Sequence, residues 1–450
     1  MKFRDTLKKL FFMERNEILI LSGIFFLGMS TAMFMPYAPI WLAQIFNVDQ
    51  YFIIGFVAII PNFIIAIGTT VWGIMSDKFG NKKFVFMGYI AACLMYFTLM
   101  FINKPFVFLA VMLVGYIFIS AQTSNIYSYA TLTSSKKKEI ILGEVTATFS
   151  LAWLVASPIA AAIHDNAATF SLKWYSSSQL SSIVNISSQS PTNGIINFAA
   201  VLSKFFSDEI ANNPAQGVQL FIAVICCAIA SIIIIFTKEK RFREKLKEAD
   251  QPIKLGKLTD FVLIFAVLMI LSFFQSATSG GFWSYSSLYF IEFLNTPALY
   301  FSYFLIGTTT VAVFLSLLLG RIVKIRKITI AVICCTLIQV LIYLFMFLFP
   351  SNVILGLVVY SFPMYVISTI SMNSLVGTYS NKLRRASAFG IFNTLGYAGS
   401  ISATLIMGFT ADKSPKGLVA MLGFALGFSI CTFALAIILS IIIEKRKLLV

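Results

Sequence analysis

Long apolar segments alternate with short polar ones along the whole chain. Twelve segments hold about 20 or more mostly apolar residues, which is the length a helix needs to cross roughly 30 Å of hydrocarbon. They lie at 18–46, 51–75, 84–102, 106–130, 142–163, 217–236, 260–293, 298–320, 328–348, 352–377, 386–411 and 417–443. The pattern predicts an all-α membrane protein with twelve transmembrane helices. No small-residue cleavage site follows a short apolar core in the first segment, so we expect that segment to be retained as a helix.

The composition agrees with a chain that is surrounded mainly by lipid. Of its 450 residues, 59% are apolar and only 12% are charged, which is too little charge to cover the surface of a soluble protein. The mean hydropathy is +0.89. All six cysteines lie inside apolar segments, where they act as small hydrophobic residues. Their spacing predicts neither a disulfide framework nor a zinc site, and we expect no metal and no cofactor.

The net charge of +16 reflects topology. With the N-terminus placed in the cytoplasm, 29 of the 34 Lys and Arg residues fall in inside segments. The other five are the outside residues Lys104, Lys173, Lys204, Lys413 and Lys416. Positive residues concentrate on the cytoplasmic side of membrane proteins, so both termini are predicted to be cytoplasmic. No basic patch exists beyond short loops, and we therefore expect no nucleic-acid partner. We further expect a monomeric protein in the plasma membrane.

The two halves of the chain repeat each other. Gly73 and Gly320 are 247 residues apart, and so are Asp165 and Asp412. The same offset places Trp41-Leu42-Ala43 opposite residues 288–290. The predicted organisation is helices 1–5 at 1–163, an extracytoplasmic insertion at 164–216, helix 6 at 217–237, a cytoplasmic linker at 238–259 and a second six-helix half at 260–450. The insertion contains an amphipathic stretch that is either a lid, an interfacial helix or a plain surface insertion.

A charged turn between segments 2 and 3 is the most specific motif. It reads Gly, three residues, Asp, basic, any residue, Gly, any residue, basic, basic, and its members are Gly73, Asp77, Lys78, Gly80, Lys82 and Lys83. This pattern resembles the loop between helices 2 and 3 of the major facilitator superfamily, with drug and sugar exporters the most similar branches. The resemblance implies two parallel six-helix halves around a solute site at the bilayer midplane. It also implies that the turn takes part in gating, with Asp77 binding the N-terminal end of helix 11.

Other residues of the turn have more than one interpretation. Lys82 and Lys83 could pair with Glu139 or Glu144, or could only satisfy the positive-inside distribution.

Ionisable residues are absent from the middle of every predicted span, although proton relays need them there. Coupling to a proton or another ion is therefore left open, with Glu144 and Glu292 as candidates. His164 and Asp165 are expected to cap the outer end of helix 5.

Neutral polar and aromatic side chains are the candidates for binding the solute. A buried amide in lipid needs a partner, so these groups should face the protein interior. Each could instead bind a neighbouring helix. The set is Tyr37, Asn62, Gln122, Asn125, Trp153, Gln275, Trp283, Tyr285, Gln339, Asn373 and Asn393. A site without fixed charge suits a sugar, a nucleoside or a drug-like molecule, whereas phosphorylated or dicarboxylate solutes usually need Arg or Lys.

Two further motifs bear on direction and movement. Ser157-Pro158 and the small residues after it resemble a weakened form of the helix 5 motif of exporters in the superfamily. Gly280-Gly281 in helix 7 either forms a hinge or allows close packing. We expect a transporter of a small neutral or amphipathic solute, with efflux slightly favoured over uptake of a sugar or nucleoside. A transporter-like sensor or scaffold is the alternative; an enzyme is disfavoured, since His164 is the only histidine and no phosphate-binding loop occurs.

Overall fold

The computed structural model is built from helices that follow the predicted spans. It describes residues 14–102, 104–134, 138–165, 214–238, 258–322, 328–360, 368, 371–372, 375–376, 385–414 and 417–445. These residues form helices and no strand, which confirms the predicted fold class. Almost all of the predicted insertion, the predicted linker and Asn373 lie outside the described residues.

Six helices belong to the first half. The first, α1, comprises Arg15–Phe34, Ala38–Ile40 and a π-helical turn at Trp41–Ile45, and α2 comprises Tyr51–Ile54 and Phe56–Phe79. The others are α3 at Asn81–Leu99, α4 at Pro105–Thr133, α5 at Lys138–Asp165 and α6 at Pro214–Ile235.

The second half repeats this order. Its first helix, α7, comprises Leu258–Trp283, Ser286–Leu288 and a π-helical turn at Tyr289–Phe293. It is followed by α8 at Ala298–Ile322, α9 at Ile328–Leu348, α10 at Val353–Tyr360, α11 at Arg385–Lys413 and α12 at Leu418–Lys445.

Ten helices in the described part of the chain, α1–α9 and α12, are long and apolar enough to cross a membrane. A helix satisfies its own backbone hydrogen bonds, which a chain in hydrocarbon requires. Small residues let neighbouring helices approach: a Cβ on Gly28 of α1 would lie 2.7 Å from Ala152 of α5, and one on Gly281 of α7 would lie 2.8 Å from Ala403 of α11. Of the two interpretations of Gly280-Gly281, close packing is therefore the one that the geometry shows.

The outer ends of α1 and α7 have the same backbone design. Each ends in a π-helical turn followed by an asparagine with a positive φ, 52° at Asn47 and 48° at Asn295. The next N–H donates back to a carbonyl six residues earlier, from Val48 to Leu42 at 3.0 Å and from Thr296 to Phe290 at 3.4 Å. Each residue of the turn in α1 lies 248 residues before its equivalent in α7, as Asn47 does before Asn295. The predicted offset of 247 is therefore wrong by one residue at this point. The register returns to 247 where α2 and α8 begin.

The halves touch most extensively through three pairs of helices. In the described part of the chain these are α5 with α8, α2 with α11, and the outer parts of α1 and α7. We call the end of the bundle that carries Asp165 and Asp412 the outer end, since the charge distribution predicts that it faces the outside.

Candidate functional site

Two aspartates connect the halves at the outer end. Asp165, the last residue of α5, accepts hydrogen bonds from the backbone N–H groups of Ala298 at 2.8 Å and Leu299 at 2.9 Å. Asp412, near the end of α11, accepts them from Tyr51 at 2.7 Å and Phe52 at 3.1 Å. The expectation that Asp165 caps its own helix is thus wrong, because its carboxylate binds the start of α8 in the other half.

Tyr285 joins the halves beside Asp412. Its buried hydroxyl lies 3.0 Å from the carbonyl oxygen of Thr404 in α11 and 3.2 Å from that of Tyr51 in the first half. Gly55 and Gly408 leave the space that this hydroxyl occupies, since a Cβ on either glycine would overlap with it. Tyr285 was expected to bind the solute, and in this structure its hydroxyl instead connects the two halves at the outer end.

A second layer of contacts between the halves lies deeper in the bundle. The side-chain amide of Asn62 in α2 donates to the hydroxyl of Ser400 in α11 at 3.1 Å. The rings of Trp153 in α5 and Trp283 in α7 have centroids 6.0 Å apart, and Trp283 lies 6.2 Å from Phe304. All five side chains are uncharged, and we call this group the middle layer.

The depth of the middle layer follows from helix geometry. Asn62 is 11 residues from Tyr51, and Trp153 is 12 residues from Asp165. At a rise of 1.5 Å per residue, the layer lies about 16–18 Å below the aspartates. That distance is close to half the thickness of a bilayer core of roughly 30 Å. Asn62, Trp153 and Trp283 are therefore the predicted solute-binding residues that the fold places between the halves at this depth.

Four other predicted residues make their described contacts inside one half. Gln122 of α4 packs against Gly88 of α3, where an added Cβ would lie 2.6 Å from the Cβ of Gln122. The Asn125 amide donates to the carbonyl of Ala121 in its own helix at 2.7 Å. Gln275 of α7 donates to Gln339 of α9 at 3.0 Å.

The remaining candidates have different surroundings. Tyr37 is fully buried, and its ring centroid lies 5.5 Å from that of His164 within the first half. Asn393 is exposed. The side chains of Glu144 and Glu292 are half-buried, with Glu292 in the π-helical turn of α7. Ser157 donates its hydroxyl to the carbonyl of Trp153, one turn earlier, and Pro158 lies inside α5.

The charged turn has a structural role at Lys82. The Lys82 ammonium donates to the carbonyls of Ile235 at 2.8 Å and Thr237 at 2.6 Å, at the end of α6. A cation at this position binds free carbonyls and offsets the negative end of the helix dipole. The lysine thus binds α6 rather than an acidic partner in α5. Lys83 is exposed, and Gly80 has the positive φ of 90° that joins α2 to α3.

In the described part of the chain, no residue of the second half lies next to Gly73 of α2. Apart from the neighbouring residues and backbone of α2 itself, no described atom lies within 4 Å of a Cβ added there, and the neighbouring Ile74 is 59% exposed. The side chains of Asp77 and Lys78 lie outside what the structure describes. The described contacts between the halves thus include the outer end and the middle of the bundle, while Gly73, toward the inner end of α2, is left in open space.

No candidate metal site is found in the described part of the chain. Those residues contain no group of three or more His, Cys, Asp or Glu side chains that could hold a metal.

Comparison with known proteins identifies the family. Residues 20–404 match the sequence model of the Major Facilitator Superfamily. The structure resembles that of a mutant of the nucleoside transporter NupG, with a TM-score of 0.65 at 14% identity, covering 95% of this chain and 100% of that one. It resembles the human organic anion transporter MFSD10 (TETRAN), with a TM-score of 0.59 at 13% identity and coverages of 94% and 100%.

A third similar structure is that of a POT family transporter in complex with 5-aminolevulinic acid. Its TM-score is 0.68 at 11% identity, with 97% of both chains covered. At such identities these likenesses show a shared fold. Among curated proteins, none matches the sequence. The family match covers most of the chain and agrees with the helical bundle, so this protein is a multi-pass membrane transporter of the Major Facilitator Superfamily.

Proposed function

We propose that this protein moves a small neutral or amphipathic solute across the membrane by alternating access. The observation that carries the proposal is the middle layer, where uncharged polar and aromatic side chains from both halves meet about halfway through the bundle. Solute sites in transporters built from repeated halves lie at that depth. The halves also meet at the outer end, whereas Gly73 lies in open space.

The composition of the middle layer favours a solute with a ring. The indole faces of Trp153 and Trp283 offer flat apolar surfaces, and the Asn62 amide offers both a donor and an acceptor. A nucleoside or a sugar presents matching apolar faces and hydroxyl groups. Nucleosides are the first solutes to test, since NupG is a nucleoside transporter of similar fold.

Efflux is the direction that we propose. Its support is Ser157-Pro158 inside α5, which resembles a weakened form of the helix 5 motif of exporters in the superfamily, on the helix that packs against α8 of the other half. Proline removes a backbone hydrogen bond and permits a helix to bend as its contacts change. Uptake of a sugar or nucleoside is the alternative outcome of the same assay.

The further expectations complete the proposal. Both termini are proposed to face the cytoplasm, which is supported by the 29 of 34 basic residues in inside segments. The protein is further proposed to act as a monomer in the plasma membrane. Glu144 and Glu292 are the candidates for coupling to a proton or another ion. Acidification of the vesicle lumen during solute movement, followed with a trapped pH dye, tests whether protons are coupled.

The experiment that tests the proposal measures exchange in liposomes. Purified protein is reconstituted into vesicles loaded with unlabelled nucleoside, sugar or cationic dye, and entry of the labelled solute is followed. We expect exchange of at least one ring-bearing neutral solute, and a large loss of exchange in Trp283→Phe. Trp72→Phe is the matched control, because Trp72 donates its indole N–H to Ile117 inside the first half.

Two outcomes contradict the proposal. Binding without exchange, detected as a raised melting temperature with no labelled solute entering, identifies a sensor or scaffold. Equal losses in Trp283→Phe and Trp72→Phe place the solute away from the middle layer.

A further inference from the structure

The two outer aspartates make the same contact in opposite directions. Asp165 of the first half binds the start of α8 in the second half, and Asp412 of the second half binds the start of α2 in the first half. In each case the two carboxylate oxygens accept hydrogen bonds from two consecutive backbone N–H groups, one each. The contact therefore joins the halves twice.

The sequence offset shows that the contacts are equivalent. Asp165 and Asp412 are 247 residues apart, and so are their donors, Ala298 with Tyr51 and Leu299 with Phe52. All four hydrogen bonds are between 2.7 and 3.1 Å long. Equivalent donors and acceptors at similar distances indicate one interaction that both copies of the repeat have kept.

The chemistry favours closure of the outer end. The first N–H groups of a helix have no partner within the helix, and the helix dipole places partial positive charge there. A carboxylate from the other half satisfies two of these groups at once, with charge-assisted hydrogen bonds. Once the halves separate at this end, each carboxylate and each pair of N–H groups must be hydrated instead. The stabilisation is thus present only while the outer end is closed.

We propose that Asp165 and Asp412 are paired gating residues that hold the outer end of the transporter closed. The proposal rests on the proposed function, since it assigns the two residues to one state of an alternating-access cycle. Each aspartate acts through the contact between the halves, without touching the solute. Both contacts stabilise the same closed end, so loss of one leaves the other in place.

The test measures how often the outer end opens, without any solute. A reporter cysteine, Ser400→Cys, is placed in a background in which the six native cysteines are replaced. Ser400 is only 5% exposed and lies in the middle layer, so a membrane-impermeant maleimide added from the outer side reaches it only when that end opens. The labelling rate then rises with the open fraction, even when that fraction is small.

We expect Asp165→Asn and Asp412→Asn each to raise the labelling rate about two- to five-fold, the effect of a carboxylate at an exposed helix N-terminus. The double variant should exceed either single variant. Asp49→Asn is the matched control: it removes a negative charge from an exposed residue two positions before Tyr51, and its rate should not change. A cysteine at the exposed Lys104 reports which side the reagent reaches and should react equally in all variants.

A second variant tests the donors instead of the acceptors. Ala298→Pro deletes one N–H that binds Asp165, at the first position of α8, where proline is compatible with a helix. It should raise the labelling rate in the same direction as Asp165→Asn. This variant also keeps the test valid if an aspartate variant fails to purify as a monodisperse protein.

Unchanged rates in the folded double variant and in Ala298→Pro would overturn the proposal, because the carboxylates would then only terminate helices. Equal increases in Asp49→Asn would also overturn it, by attributing the effect to net charge. These results stand apart from the proposed function, which is judged by exchange in vesicles of the unmodified protein. A protein that exchanges no solute can still show the opening, and one that exchanges solute can lack the gate.

Discussion

At the scale of single residues, Tyr285 shows how closely the halves fit at the outer end. Its hydroxyl reaches carbonyl oxygens of both halves, and Gly55 and Gly408 make room for it. The two glycines differ in what else lies near them. A Cβ on Gly55 would next meet Thr404 Cγ2 at 3.2 Å, whereas one on Gly408 would meet the backbone Cα of Phe52 at 3.0 Å.

This difference makes a rescue prediction. Gly55→Ala should destabilise the protein by about 1–3 kcal/mol through overpacking against the Tyr285 hydroxyl. Tyr285→Phe removes that hydroxyl, so the double variant Gly55→Ala/Tyr285→Phe should recover most of the lost melting temperature. Gly408→Ala is the control, because the backbone of Phe52 stays in place and Tyr285→Phe should rescue it much less. Equal rescue of both glycine variants would contradict this account of the contact.

At the scale of elements, the ends of α1 and α7 depend on a left-handed asparagine. Asn47 and Asn295 have φ values of 52° and 48°, a region that costs most residues roughly 1–2 kcal/mol and that glycine enters freely. This left-handed turn allows the backbone N–H of Val48 to donate to Leu42 and that of Thr296 to donate to Phe290.

The change in stability on substituting either asparagine should depend on how easily the new residue adopts a positive φ, and less on the size of its side chain. Asn47→Ala should lower the free energy of unfolding by about 1 kcal/mol, whereas Asn47→Gly should leave it unchanged or slightly raised. The same order is expected at Asn295. Melting temperatures of the four variants in one detergent check this; similar losses with alanine and glycine would show that the asparagine side chains matter instead.

Two glycines in neighbouring helices give a matched pair with opposite expectations. Gly88→Ala should be strongly destabilising, since its Cβ would press on Gln122 at 2.6 Å and on the backbone N of that residue at 3.0 Å. The methyl group of Gly73→Ala would enter open space, and alanine is the better helix former. The free energy of unfolding should therefore stay the same or rise by up to about 1 kcal/mol, and the melting temperature should not fall. If the charged turn gates the inner end, Gly73→Ala should nevertheless slow solute exchange, because the added methyl hinders close approach of α11. A lower melting temperature for Gly73→Ala would contradict the open environment.

The sequence predicts these elements well, because their signals are local. Span lengths set the helices, the repeat offset identifies Asp165 and Asp412 as equivalent, and the Asn62, Trp153 and Trp283 positions fall between the halves. Side-chain direction is the part that hydropathy leaves undetermined. Segments that are apolar on all sides carry little periodic signal, so Gln122 and Gln339 looked equivalent to Asn62 although they pack inside a half. The partners of Asp165 lie 133 and 134 residues away along the chain, beyond the reach of any local motif.

At the scale of the whole molecule, gates at opposite ends should act in opposite directions. The charged turn of α2 includes Asp77, which the family resemblance assigns to holding the inner end closed, and Asp165 with Asp412 close the outer end. Neutralising a residue that stabilises one closed end favours opening at that end and closure at the other.

Asp77→Asn should therefore lower the outer-side labelling rate of Ser400→Cys, whereas the outer aspartate variants raise it. Solute exchange should fall in Asp77→Asn while the amount of purified protein stays normal, because the substitution alters the balance of states. Labelling rates that change in the same direction for both kinds of variant would contradict a two-ended gate, and normal exchange in Asp77→Asn would refute the inner latch.

The connection between α1 and α2 has a practical consequence. Between Asn47 and Tyr51 the first half carries three residues, and between Asn295 and Ala298 the second half carries two. The asparagine turn before each connection and the aspartate contact after it have the same geometry in spite of this difference in length. An epitope or a fluorescent tag can thus be inserted at the exposed residues 49 and 50. Such a tag would make the surface of the protein detectable by an antibody or by fluorescence microscopy, while the asparagine turn and the aspartate contact stay intact.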